Sequence, residues 1–190
     1  MEEDIEINGK GKILENMIYR DLIDYAKEVY NKAYDYAQMA NNKKAIIASC
    51  MYLGRIEKEL HNYNKAIVYY NEAITLSKEI NASEMLVSAL NDLALGYMYS
   101  KDFQNALHYI KESIKIAEKD SLEINESRYT TIGQIYLKLN QLDSAEFYIK
   151  KALASSNVVI CVKSTSAYFL TASIIVIRSN GLPKSISMPR

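Results

Sequence analysis

Apolar and small residues recur along this chain at helical intervals, and whole blocks of that pattern recur with them. Tyr63, Ala66, Ile67, Tyr70, Ala73 and Ile74 fall three and four residues apart, the spacing that gathers side chains on one face of an α-helix. Forty residues later Phe103, Ala106, Leu107, Ile110, Ser113 and Ile114 repeat the pattern slot for slot. Five short strings mark the period: LIDYA ending at Ala26, NYNKA at Ala66, DFQNA at Ala106, QLDSA at Ala145 and GLPKS at Ser185, spaced by 40, 40, 39 and 40 residues. A further helical stretch precedes the later strings, with Leu53-Gly54, Leu93-Ala94, Ile132-Gly133 and Ala172-Ser173 at matching positions. Small residues there let a partner helix approach closely. The pattern predicts an all-α protein of helix pairs at about 13–38, 43–79, 83–119, 122–155 and 159–190. Residues 1–12 read as a flexible tail and 13–190 as one array, with units at about 13–40, 43–80, 83–120, 122–156 and an incomplete 159–190. Asn81 and Asp120 stand three residues before Glu84 and Glu123, which predicts that each caps the following helix.

Composition sharpens this picture. Only six glycines and two prolines against sixteen tyrosines, in a chain that is 49% hydrophobic, leave little strand punctuation and much material for helix packing. The 23 basic and 23 acidic residues exclude a general nucleic-acid binder working through phosphates. The balance is uneven along the chain: residues 1–146 hold 17 basic and 23 acidic side chains, whereas 147–190 hold six basic and none acidic. Two cysteines, Cys50 and Cys161, make no disulfide scaffold. Val158–Ile177 is interrupted by Lys163 and a Ser-Thr-Ser patch, so a buried helix is expected there and no membrane span. The opening MEEDIEINGKGK has neither the basic nor the apolar segment of a targeting signal, which makes the cytoplasm the expected compartment.

The repeated slots resemble the tetratricopeptide repeat: a large apolar residue, then Leu-Gly, an aromatic, and a small, aromatic and small residue in the second helix. Cys50, Leu53-Gly54, Glu57, Ala66, Tyr70 and Ala73 fill them in one unit, and Leu90, Leu93-Ala94, Tyr97, Ala106, Ile110 and Ser113 in the next. Tyr129, Ile132-Gly133, Tyr136, Ala145, Ile149 and Ala152 follow in a third. The period exceeds the usual 34 residues, overlapping that of HEAT repeats, and the helix-terminal proline is absent. The Leu-Gly and Ala slots favour the tetratricopeptide reading, of the long-period type found in bacterial signalling and regulatory proteins. That resemblance implies a right-handed superhelical solenoid of antiparallel helix pairs whose first helices line a concave groove.

By the family's register, the groove slots hold Met51, Tyr52, Arg55, Lys58 and Glu59, then Asn91, Asp92, Leu95, Met98 and Tyr99, then Thr130, Thr131, Gln134, Leu137 and Lys138. Such a lining implies a partner protein or peptide, held by a few anchoring side chains and by hydrogen bonds to its backbone. The basic clamp that family members use for acidic chaperone tails is missing, since its positions hold Met51, Arg55, Asp92, Ser127 and Thr131. A non-enzymatic scaffold is the preferred reading; the alternative is a sensory or regulatory segment of a longer signalling or transcription-regulating protein. No catalytic, cofactor or metal residue stands out. His61 falls in a turn, His108 on an outer helix face, and Cys50 in a core slot. The apolar stretch Ala167–Ile177 leaves three readings: continuation into a longer protein, pairing with a second copy as a homodimer, or folding back, with the first two favoured.

Overall fold

The computed structural model describes the backbone of residues 2–123 and 126–155, and side chains from residue 17 onward. Helices form where the apolar stripes run: α1 (Glu2–Met39), α2 (Lys43–Glu59), α3 (Tyr63–Glu79), α4 (Ser83–Tyr99), α5 (Phe103–Lys119), α6 (Glu126–Lys138) and α7 (Leu142–Ser155). Among the described residues there is no strand. Each helix packs antiparallel on the next, giving a right-handed solenoid of helix pairs, and α4 also touches α2 on one side and α6 on the other. The long period has a simple origin. Helices α2 to α5 are each 17 residues, about 26 Å long, with three residues between successive helices.

Six turns close in the same way. Asn41, His61, Asn81, Lys101, Ser121 and Asn140 adopt left-handed backbone, with φ between 49° and 68°. The amide that follows each reaches back to the helix it terminates: Asn42 N–H donates to the Ala37 carbonyl at 2.9 Å and Asn62 N–H to that of Glu57 at 2.8 Å. This is the αL helix ending usually served by glycine. Here Asn, His, Lys and Ser serve it, so the low glycine count is compatible with six tight turns. The closure corrects the predicted caps: Asn81 is itself the left-handed residue, and Asp120 ends α5. The position before α4 falls to Ala82, which has no side-chain acceptor. Real side-chain caps come from Asn42, accepting from Ala45 N–H, and Asp102, accepting from Asn105 N–H, both at 3.2 Å.

Residues 2–39 form one unbroken helix that packs on α2. Gly9 and Gly11 each lower helix propensity by only about 1 kcal/mol. The expected fifth unit, 159–190, lies outside the described residues.

Two cores follow one another along the array. Ile47, Cys50, Tyr70, Ala73, Leu90 and Leu93 belong to the first, and Ala94, Met98, Ile110, Ile132, Ile135 and Ile149 to the second. Each fully buried aliphatic side chain contributes about 1.5–3 kcal/mol. Cys50 lies in the core as its slot predicts, and burial, aided by Glu72, pushes its thiol up to about 12. Polar pairs stitch the helices: Tyr34 Oη donates to Glu72 at 2.7 Å across repeats, and Lys43 bonds Glu79 at 2.9 Å within one.

Candidate partner-binding face

Helices α2, α4 and α6 present the side chains that the register assigns to the groove. Tyr52, Glu59, Tyr99 and Lys138 are exposed; Arg55, Lys58, Leu95, Gln134 and Leu137 are half-buried. Met51, Asn91, Asp92, Met98, Thr130 and Thr131 are buried instead, which corrects the expectation that these slots were free of the core. Neighbouring first helices lie side by side and cover them, so Met51 joins the first core and Met98 the second.

Two polar ladders run across this face. In the first, Tyr52 stacks on Tyr30 of α1 with ring centres 4.5 Å apart, and the Arg55 guanidinium lies 5.4 Å from the Tyr52 ring. Arg55 donates through Nε at 2.8 Å and Nη2 at 2.7 Å to Asp92 Oδ2, tying α2 to α4. Burial pushes the Asp92 carboxyl above its usual value, and Arg55 and Lys58 only partly offset this. In the second ladder, Lys58 Nζ sits 5.5 Å from the Tyr99 ring and 3.2 Å from Glu59. Tyr99 stacks on Tyr63 at 6.1 Å, whose hydroxyl is 2.8 Å from His61 Nδ1. An open hollow of about 510 Å³ lies beside it, lined by His61, Tyr63, Lys65, Tyr99 and Lys101. His61 is therefore a turn residue, as read from the sequence.

Asn91 and Thr130 occupy the same slot of α4 and α6. Each is 9% exposed, and Asn91 Oδ1 and Thr130 Oγ1 have no hydrogen-bond partner. Thr131, next to Thr130, is satisfied by its own helix, its hydroxyl donating to the Ser127 carbonyl at 2.9 Å.

Sequence reasoning missed Lys27, Tyr30 and Tyr63. A signal for the first existed: Glu57 fills a slot that is Tyr97 and Tyr136 elsewhere, and an acid in a core slot needs a cation. Glu57 is 2% exposed and receives Lys27 Nζ at 2.7 Å and Asn62 Nδ2 at 2.9 Å. Burial opposes ionisation, but Lys27 and Asn62 outweigh it and hold the carboxyl below its usual value. Among the described residues no group of three or more His, Cys, Asp or Glu is placed to hold a metal ion, and no helix is long and apolar enough to cross a membrane.

Residues 45–119 and 127–157, together more than half the chain, match family models described as tetratricopeptide repeat. The chain belongs to the tetratricopeptide repeat family. Repeats of this family are protein-interaction modules, generally without catalytic activity. Among curated proteins, Protein STIP1 homolog of Dictyostelium discoideum is 31% identical over 85 residues, which is 44% of this tetratricopeptide chain. The match spans 14% of that relative's length. Among solved structures, BtubC (BKLC) from P. vanneervenii superposes with a TM-score of 0.65 at 18% identity, over 88% of this chain and 78% of that one. The apo form of RapI gives 0.71 at 13% identity, over 86% and 45%. At these identities the structures establish the shared fold.

Proposed function

We propose that this tetratricopeptide array is a non-enzymatic scaffold that holds a peptide or helix of a partner protein across α2, α4 and α6. The observation that carries the reading is the pair of exposed aromatic side chains, Tyr52 and Tyr99, on adjacent first helices α2 and α4. They supply the aromatic anchors, and Leu95, Gln134 and Lys138 extend the lining toward α6. Tyrosines at such sites commonly lose 1 kcal/mol or more of binding when truncated, as a rough scale.

The test is capture of partner proteins by the intact chain, by the Tyr52→Ala, Tyr99→Ala, Lys138→Ala triple variant, and by Val68→Ala as a control on the exposed side of α3. The triple variant should retain its helicity and lose about tenfold or more in affinity for each captured partner, while the control binds normally. Equal capture by all three removes the groove assignment.

A second reading is a regulatory segment of a longer protein; the alignment with RapI covers 45% of that chain. In that setting a ligand on the same face would shift repeat packing and control another domain.

A further inference from the structure

We propose that the cleft where α5, α6 and α7 meet is a second binding site, separate from the first-helix face, and that it takes a phosphate monoester. The repeat itself supplies the comparison. At the preceding junction, of α3, α4 and α5, the equivalent polar slots hold Asn71, Thr75, Lys78 and Glu112. There Lys78 Nζ stands 3.8 Å from Glu112 and joins the two second helices. One period on, the same slots hold Lys111, Lys115, Glu118 and Lys151. The apolar slots keep their character: Ile74 is followed by Ile114, Leu93 by Ile132 and Tyr109 by Tyr148. Packing of one repeat on the next is thus served by the retained residues, and the added lysines are not required for it. One Lys and one Glu balance at the first junction, whereas three Lys and one Glu leave two positive charges at the second.

The cleft encloses about 130 Å³ and is lined by the buried Ile132 and the half-buried Tyr129 and Tyr148. Its lysines are positioned by aromatic rings. Lys151 Nζ lies 5.6 Å from the centre of the Tyr129 ring and 4.9 Å from that of Phe147, and Lys111 Nζ lies 5.9 Å from Tyr136, which stacks on Tyr148. Ring faces attract an ammonium group without neutralising it. Among the described residues Lys111, Lys115 and Lys151 form no ion pair, whereas the neighbouring Lys150 bonds Glu146 at 2.8 Å. Burial and Tyr136 push the Tyr148 phenol above its usual value while Lys111 opposes the rise, so the lysine's charge reaches partly dehydrated space. A phosphate monoester, at about −1.5 to −2, matches the two surplus charges, and a single carboxylate does not. Lysine binds phosphate as a point charge, so ammonium groups on different helices can share its oxygens. The volume equals that of about four waters in the liquid, which admits one phosphate and the first atoms of its carrier but no nucleotide or helix. Tyr129 and Tyr148 offer that carrier an aromatic wall, which favours an ester over free phosphate.

The experiment is an NMR titration of the full chain at low salt with phenyl phosphate, inorganic phosphate and, as a monoanion on the same ring, benzoate. Phenyl phosphate should bind most tightly, with its amide shifts gathered in α5 and α7. Lys111→Gln with Lys151→Gln should weaken that binding about tenfold or more, and Lys150→Gln, which removes a lysine already paired, should leave it unchanged. Glu118→Gln should strengthen it several-fold, a gain that partial unfolding would not produce. Inorganic phosphate binding as tightly, with the same response to the variants, supports the phosphate chemistry and makes the free anion its source. Benzoate binding as tightly as phenyl phosphate overturns the phosphate assignment. Shifts gathered in α2 and α4, equal weakening by Lys150→Gln and the double variant, or no shifts up to about 10 mM overturn the site. None of these results bears on partner capture by Tyr52 and Tyr99, so the two proposals fail separately.

Discussion

At the scale of single residues, the helix-pair contact rests on how little space one position leaves. A Cβ built on Gly54 would stand 2.5 Å from Cε1 and 2.8 Å from Cδ1 of Tyr70, whose ring is fully buried. At Gly96 the nearest atom is Ile67 Cγ1 at 3.4 Å, an ordinary contact. Alanine improves helix propensity at both sites by about 1 kcal/mol, but at Gly54 overpacking costs about 1–3 kcal/mol. Gly54→Ala should therefore lower the urea midpoint, and Gly96→Ala should leave it unchanged or raise it. The Gly54 slot was legible because Leu53-Gly54 recurs as Leu93-Ala94 and Ile132-Gly133. The burial of Met51, Met98 and Thr131 was not, because register says which helix face a residue lies on and not how closely the neighbouring first helix approaches it.

At the scale of elements, the sequence placed the outer ends of the pairs α2–α3 and α4–α5, at 43–79 and 83–119, where the structure has them, while their terminations obeyed a different rule from the predicted capping box. Polar residues at a helix boundary serve equally as N-caps or as left-handed closures, and the path of the chain into the next helix decides between them. How α1 is attached was hidden altogether, since Lys27 and Glu57 lie thirty residues apart and their 2.7 Å contact depends on tertiary packing. Because the Glu57 carboxyl is held below its usual value, its ionised form stabilises the folded state. That contribution is complete above the ordinary carboxylate range and is lost as pH falls through the depressed folded value. Acidification should thus lower the amide protection factors of α1, taken relative to intrinsic exchange at each pH, before those of α3 and α4. Glu57→Gln should bring the lower protection to neutral pH and flatten its pH dependence, as hydrogen exchange followed by mass spectrometry would report.

At the scale of the whole molecule, stability runs along one dimension, because each helix pair contacts only its neighbours and the two cores divide within α4 between Leu93 and Ala94. Ile149→Ala, at a site 1% exposed, should cost about 2–5 kcal/mol. Protection from hydrogen exchange should then fall in α6 and α7 while α2 and α3 keep theirs; equal loss throughout would mean a single cooperative unit. By itself the sequence determined that the chain is a helical array with a forty-residue period, and which slots form its core, because periodicity and residue size are local properties repeated in register. Only the tertiary structure decided which groove residues remain open, and that Arg55 pairs with Asp92 and Glu57 with Lys27. Those outcomes depend on the distance between helices far apart in the chain, and no local pattern encodes that distance.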